Sequence, residues 1–359
     1  MSRQSLLVAP APSDSTLAMP DAVAGPALVI QTAFLGDVLL TTPLVEALAA
    51  RHGPVDVVTT PAAAPLVETH PAVRRVIPYD KRGADSGLGG LVRLARRLQA
   101  ERYEVAYLPH RSLRTAVATW LARIPRRVGF ADGWSMLYTD VRKRPKDGHE
   151  IDRLLALADV EGSRAHPSLH ITPDDRAFAE GFLREHGIRE PFAALAPGSI
   201  WGSKRWPYYR QVAERLAGRV AIVVVGGSED ASLAAEITAA VGRSGGRAAS
   251  SCGRLTLRQS AEVIRRAAVL VTNDSAPLHL AQAVETPTVA IFGSTVPAFG
   301  FGPRGPRDRV VEFAGLSCRP CSAHGPPSCP LGHHLCMKSL RVEDVFQAIE
   351  ETGALHRRD

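Results

Sequence analysis

The sequence has no run of about 18 apolar residues, the length a helix needs to cross a bilayer, so any membrane contact is expected to be peripheral. Residues 1–26 are rich in Ala, Pro and Ser and lack the apolar core of a signal peptide, which predicts a disordered tail on a cytoplasmic protein. Aromatic residues make up only 6% of the chain and form no array with Lys and Arg, so no nucleic-acid partner is expected. Cysteine is scarce too: the five present fit a reducing compartment, although four crowd near the C-terminus. Acidic residues are in deficit, 36 Asp+Glu against 43 Lys+Arg. The resulting formal charge of +7 suits phosphorylated sugars, nucleotides or an anionic membrane face.

The rest is ordinary: 45% hydrophobic and 22% charged residues describe a globular protein. Its 359 residues fit two domains at about 150 residues each. Apolar runs at 27–33, 55–60, 73–79, 103–108 and 127–130 alternate with helical spacing at 38–50, 64–69, 88–102 and 113–122. That rhythm predicts an α/β fold with a parallel sheet covered on both faces. Residues 129–146 lack periodicity, carry Arg142, Lys143, Arg144 and Lys146, and read as a mobile loop before a helix at 149–160. The pattern lapses at 163–172, so the boundary between halves falls within 163–191. A second series then runs through strands at 191–196, 220–225, 267–272 and 288–292, with helices at 174–186, 208–217, 231–241, 256–266 and 342–351.

The chain is organised around 271–284, where an apolar strand breaks at Asn273-Asp274-Ser275 and Pro277 opens a helix. Free amides and the positive end of a helix dipole suit a phosphate there, and Asp274 and His279 suit sugar hydroxyls; simple helix capping by Asp274 or Ser275 is the alternative. Asp37 follows Gly36 at the end of the first strand, where open α/β sheets bind ligands, with N-capping again the alternative. Ser199 and Lys204 follow the strand at 191–196 and suit a diphosphate, and Glu229 follows paired glycines where an acidic side chain reaches a ribose. Lys204 alone reads as a surface lysine and Glu229 as first-turn helix charge. Gly293-Ser294-Thr295 offers small residues and amides near the same strand ends, and the three turns of the second half together point to a nucleotide site.

With these residues assembled, the chain resembles glycosyltransferase family 9, and within it the lipopolysaccharide heptosyltransferases, over residues 27–350. The motifs are Phe34-Leu-Gly-Asp37 with Thr42-Pro43, Ala196-Pro-Gly-Ser199 with Lys204-Arg-Trp206-Pro207, Asn273-Asp274-Ser-Ala-Pro-Leu-His279, and Phe292-Gly-Ser-Thr295. The resemblance implies GT-B architecture, two Rossmann-like parallel-sheet domains facing a cleft. The acceptor-binding domain would span 27–175, and the nucleotide-sugar domain 190–340 with a Cys-rich loop at 316–337. A helix and tail at 341–359 would pack back toward the first domain. It further implies an ADP-L-glycero-β-D-manno-heptose donor, an acceptor in the inner core of lipid A, inversion, and no catalytic metal. By position Asp37 would be the general base, Lys204 and Ser199 would meet the diphosphate, and Glu229 the ribose. Asp274, the amides of Ser275 and Ala276, and His279 would meet the heptose.

The sequence departs from the family at Thr295-Val296-Pro297, where relatives often carry Thr-Asp-Pro. A transferase for another nucleotide sugar and a non-catalytic nucleotide-binding scaffold therefore remain alternatives. The basic first half, with Lys81, Arg82, Arg93, Arg96 and Arg97, fits peripheral contact with the anionic cytoplasmic face of the inner membrane. Finally, Cys318-x2-Cys321-x7-Cys329-x6-Cys336 has the spacing of a structural zinc site, with four reduced thiols as the other reading; Cys252 reads as a small buried hydrophobe.

Overall fold

The computed structural model describes residues 25–160 and 164–355; residues 1–24 of the expected tail lie outside the described residues. The first half comprises β1 (Ala27–Ile30), α1 (Leu35–Leu40), α2 (Thr42–His52), β2 (Val55–Thr59), β3 (Val73–Pro78), α3 (Gly87–Ala100), β4 (Val105–Leu108), α4 (Leu113–Leu121), β5 (Arg126–Phe130), β6 (Asp140–Arg142) and α5 (Glu150–Leu155). The second comprises α6 (Pro173–Glu185), β7 (Phe192–Ala196), α7 (Tyr209–Leu216), β8 (Ala221–Val224), α8 (Ala231–Arg243), β9 (Ala248–Ser250), α9 (Leu257–Arg266), β10 (Val269–Asn273), α10 (Ala276–Ala283), β11 (Thr288–Phe292), β12 (Arg309–Glu312), α11 (Leu335–Lys338) and α12 (Val342–Glu351).

Each half builds one six-stranded parallel sheet, ordered β3-β2-β1-β4-β5-β6 and β12-β11-β10-β7-β8-β9. The second order is the first repeated, since β7 stands beside β10 as β1 stands beside β4. The central strands β1, β7, β10 and β11 are buried along their whole length, as their unbroken apolar runs require of a sheet covered on both faces.

Three readings of the sequence need correction. The supposed mobile loop contains β6, which pairs with β5 from Val128↔Asp140 to Phe130↔Arg142 and is braced by Arg126 on Asp140 at 2.9 Å. An edge strand of three residues, two of them charged, leaves no apolar alternation to read; β9 and β12, at three and four residues, are also too short to show one. The helix read at 64–69 is a single 3-10 turn at Ala64–Leu66. The last helix was expected against the first domain, yet Val345, Ala348 and Ile349 of α12 are buried in the core of the second, with α7, β11 and β12 as neighbours.

The halves meet through other elements. Helix α1 packs on α10, and α6, on the boundary, packs on α9. Arg258 of α9 donates to Asp175 at 2.6 Å and to the Pro65 carbonyl at 2.9 Å. The divergent segment after Thr295 crosses to α5: the Glu150 amide donates to the Gly300 carbonyl at 2.9 Å, and Arg153 to the Phe299 carbonyl at 2.7 Å.

Candidate active site

Each sheet reverses its winding once, between β1 and β4 and between β7 and β10. The crevice outside the carboxyl ends of such strands is where open α/β sheets take their ligands. Here the two crevices face each other and form one cleft of about 740 Å³. Asp37 reaches it from the first turn of α1, Ser199 and Lys204 from the segment after β7, and Glu229 from the segment after β8. Asp274, Ser275, Ala276 and His279 reach it from the end of β10 and the start of α10. All eight residues anticipated from the sequence thus line one cavity.

Asp37 is not an N-cap. It occupies the third position of α1, and its carboxylate accepts the Phe34 amide at 3.0 Å. Burial pushes its pKa up; that hydrogen bond opposes the shift, and the nearby Glu150 carboxylate adds to it. Glu150 is itself held by Arg144 at 2.6 Å. Asp37 is therefore a more basic carboxylate than usual, with one oxygen engaged by a backbone donor.

Asp274 is held differently. Lys204 Nζ and Thr295 Oγ1 both donate to its Oδ2 at 2.6 Å, with Lys204 and Asp274 almost wholly buried. The neighbouring Asn273 fixes the geometry: its Oδ1 accepts the Trp206 amide at 3.1 Å, and its Nδ2 donates to the Pro197 carbonyl at 2.9 Å. The turn that carries Ser199 and Lys204 is thereby tied to the end of β10. At α10 the first amides, from Ser275 onward, have no carbonyl a turn earlier, so they and the dipole offer positive potential to the cleft.

His279 is fully buried, and burial lowers its pKa, so it is neutral at neutral pH. Gln282 Nε2 donates to the Gly302 carbonyl at 2.9 Å, which leaves Gln282 Oε1 to accept from His279 Nδ1 at 3.2 Å. That tautomer leaves Nε2 of His279 as an acceptor. The ring lies against Gly36 of the first domain, where a Cβ would come within 2.4 Å of His279 Cδ2. Glycine at 36 thus serves close approach of the two domains and not a special backbone angle.

Several lining groups were not anticipated. Asp230, beside Glu229, is buried with Oδ1 unpartnered, and burial raises its pKa. The Cys-rich segment forms a wall of the cleft. Arg319 donates to the carbonyls of Phe313 and Thr295 at 2.6 and 3.0 Å and pairs with Glu312 at 2.8 Å. Cys321 N donates to the Ser294 carbonyl at 2.8 Å, and Ser203 Oγ to the Pro326 carbonyl at 2.6 Å. Gly325, at φ +82°, lets the segment pass close to Lys204 and Ser294, and His324 sets its ring 5.7 Å from that of Phe34 across the cleft. The density of Pro, Gly and Ser at 322–328 was the available signal, masked by the cysteines on either side.

Those cysteines do not assemble the zinc site expected from their spacing. All four are free thiols, and among the described residues no three His, Cys, Asp or Glu side chains converge as a metal needs. A tetrahedral zinc holds every sulfur about 2.3 Å from one point. Here Cys336 is buried on α11 in the apolar core, Cys321 faces the Cys318 carbonyl, and Cys329 Sγ accepts the His334 amide. Cys252 is buried, as expected.

Comparison with known proteins agrees with this geometry. Residues 91–328 match the sequence profile of glycosyltransferase family 9 (heptosyltransferase). Lipopolysaccharide heptosyltransferase 2 of Escherichia coli is 27% identical over 292 residues, 76% of this chain and 84% of that protein. Lipooligosaccharide heptosyltransferase 2 of Haemophilus influenzae is 27% identical over 346 residues, 90% of this chain and 98% of that one. The solved structure of E. coli ADP-heptose LPS heptosyltransferase II superposes with a TM-score of 0.76 at 24% identity, over 92% of this chain and 98% of that one, which shows the shared GT-B architecture. With its family profile matched over well more than half its length, the chain belongs to glycosyltransferase family 9.

Proposed function

We propose that this protein transfers heptose from ADP-L-glycero-β-D-manno-heptose to the inner core of lipopolysaccharide, with inversion at the anomeric carbon. One observation carries the reading: Asp37, a basic carboxylate from the first domain, faces Lys204, Asp274 and the N-terminus of α10 from the second across a single cleft. The two relatives named for heptose transfer, matched over 76% and 90% of this chain, support the donor and acceptor.

The mechanism follows from the placement. Asp37 takes the proton of the acceptor hydroxyl as that oxygen attacks the anomeric carbon. The bond to the β-phosphate oxygen breaks on the opposite face, its electron pair leaves with ADP, and the configuration inverts. A base so placed contributes roughly 10²–10⁴-fold, and raised basicity helps. Lys204, Ser199 and the first α10 amides stabilise the charge growing on the diphosphate, so catalysis uses no metal ion. Asp274 and His279 Nε2 accept from heptose hydroxyls, and Glu229 from the ribose. Because the acceptor is lipid-linked, the enzyme works as a peripheral protein at the cytoplasmic face of the inner membrane.

Calorimetric titration with ADP, GDP and UDP, with and without EDTA, followed by transfer assays on inner-core acceptors, tests each element. Selection of ADP, chelator-insensitive turnover and an inverted product are expected. Preference for UDP or GDP overturns the donor, turnover restored by a divalent cation overturns metal-free catalysis, and ADP binding without turnover makes the protein a scaffold.

A further inference from the structure

Exposed large apolar side chains concentrate on one face of the first domain. Met136 is 97% exposed and Leu88 79%, more than any other large apolar residue among those described. Helix α4 reverses the usual polarity of a surface helix. Its inner face is Thr115, Ala116, Ala118 and Thr119, whereas Leu113, Trp120 and Leu121 point outward at i, i+7 and i+8, with Val117 half-buried between them. The neighbours extend the patch. Helix α3, packed on α4, adds Leu88 and Val92 one turn apart, and the turn at Ser135–Leu137, also beside α4, adds Trp134 and Met136.

The surroundings say what this face fits. Residues 87–123 carry seven Arg against two Glu and no Asp, and Arg96, Arg97 and Arg123 are exposed. Exposed apolar side chains with two tryptophans on three adjoining elements, accompanied by exposed arginines, match the headgroup layer of an anionic bilayer, where indole rings settle at the interface and arginines reach phosphates. Its position is also suitable. Leu88 and Leu113 open helices that follow β3 and β4, and Trp134 follows β5, so the patch starts at the sheet edge that borders the cleft.

We propose that this face of the first domain docks on an anionic lipid bilayer, with Trp120, Trp134 and Met136 in the headgroup layer and Arg96 and Arg97 on lipid phosphates. That arrangement rests on the preceding reading for its purpose: it sets the first-domain lip of the cleft at the depth where a lipid-linked acceptor presents its sugars.

Flotation of the full-length protein with vesicles of phosphatidylethanolamine and phosphatidylglycerol, against phosphatidylcholine alone, tests it. Binding to the anionic vesicles that weakens with salt is expected. The Arg96→Glu/Arg97→Glu variant should lose at least about fivefold per residue. The Trp120→Ser/Trp134→Ser/Met136→Ser variant should lose at least about tenfold. Both should keep wild-type ADP affinity, which shows them folded. Wild-type protein that ignores anionic vesicles, variants that bind like wild type, or a dimer dispersed by Trp120→Ser would each overturn the proposal, the last by giving the face to a second copy of this chain. Flotation needs no donor, so its failure leaves heptosyl transfer standing, and failure of transfer leaves the docking surface standing.

Discussion

Asp37 and Asp274 both lie just past a central strand of their sheet, Asp37 in the first turn of α1 and Asp274 between β10 and α10, and the protein treats them in opposite ways. Asp274 has an ammonium and a hydroxyl on one oxygen, both at 2.6 Å. Asp37 has one backbone donor, a carboxylate neighbour and a raised pKa. A carboxylate tied to cationic and hydroxyl donors keeps its charge, whereas a buried one with few donors is left more basic. Under the proposed function, the fold prepares one aspartate as a fixture and the other as a reagent.

Removing the reagent should have the largest effect. Asp37→Asn keeps an oxygen for the Phe34 amide but has no site for the acceptor proton, so turnover is expected to fall by roughly 10²–10⁴-fold. ADP affinity should be unchanged. Wild-type kcat/KM should also fall on the acid side with a midpoint above the usual carboxylate range, because ionised Asp37 is lost as pH drops through a raised pKa. The sign for stability is the reverse. A raised folded-state pKa contributes stability below the unfolded value and loses it as pH rises, so at neutral pH the Asn variant should melt no lower than wild type. A large drop in both Tm and ADP binding would make Asp37 structural.

Breaking the fixture should act on stability and binding together. Lys204→Ala leaves Asp274 buried without its counter-ion, a loss of about 3–5 kcal/mol by thermal or denaturant unfolding. Asp274→Ala does the same to Lys204. In a double-mutant cycle the pair should cost clearly less than the sum of its members. ADP affinity should fall most for Lys204→Ala, and an unchanged Kd would remove Lys204 from the diphosphate.

The contrast between the two aspartates was only half visible in the sequence. Strand-turn-helix units were legible because buried parallel strands are unbroken apolar runs, and a residue just past such a run must lie at a carboxyl edge; hence Asp37, Ser199, Lys204, Glu229 and Asp274 could all be placed. Whether a carboxylate is saturated depends on partners far along the chain. Thr295 reaches Asp274 from 21 positions away and Lys204 from 70, and no local pattern marks either. The four cysteines misled for a related reason. Their spacing suited a metal knuckle, but the segment's work is done by Arg319, Ser203 and Gly325 holding it against the cleft. The segment after Thr295 likewise looked only like a departure from the family, and its role in docking on α5 through Phe299 and Gly300 appears once the two domains are side by side.

The seam that brings the two aspartates into one cleft can be widened by a single methyl group. Gly36→Ala drives a Cβ into the His279 ring, which is pinned by Gln282 and cannot swing aside. The expected cost is about 1–3 kcal/mol, read as a lower Tm and reduced kcat/KM. His279→Ala should relieve the Tm penalty in the double variant without restoring kcat/KM to wild type, since it also removes the proposed acceptor for the sugar. Additive losses in Tm would mean the two residues do not meet.

The smallest effect should come from the end of the cleft proposed for the ribose, where two adjacent carboxylates repeat the contrast on a smaller scale. Glu229 is exposed at the mouth of the turn, while Asp230 is buried, accepts the Gly227 amide at Oδ2 at 3.2 Å and leaves Oδ1 unpartnered. The exposed residue is free to meet a ligand, and the buried one shapes the loop that carries it. Glu229→Gln should therefore weaken ADP by about fivefold, one hydrogen bond's worth, with Tm unchanged. Asp230→Asn should change Tm and leave ADP affinity within error. The opposite result, with Asp230→Asn weakening ADP and Glu229→Gln silent, would hand the ribose to the orphaned Oδ1. It would also show that at this strand end, as proposed at β1, the under-satisfied carboxylate is the one that meets the substrate.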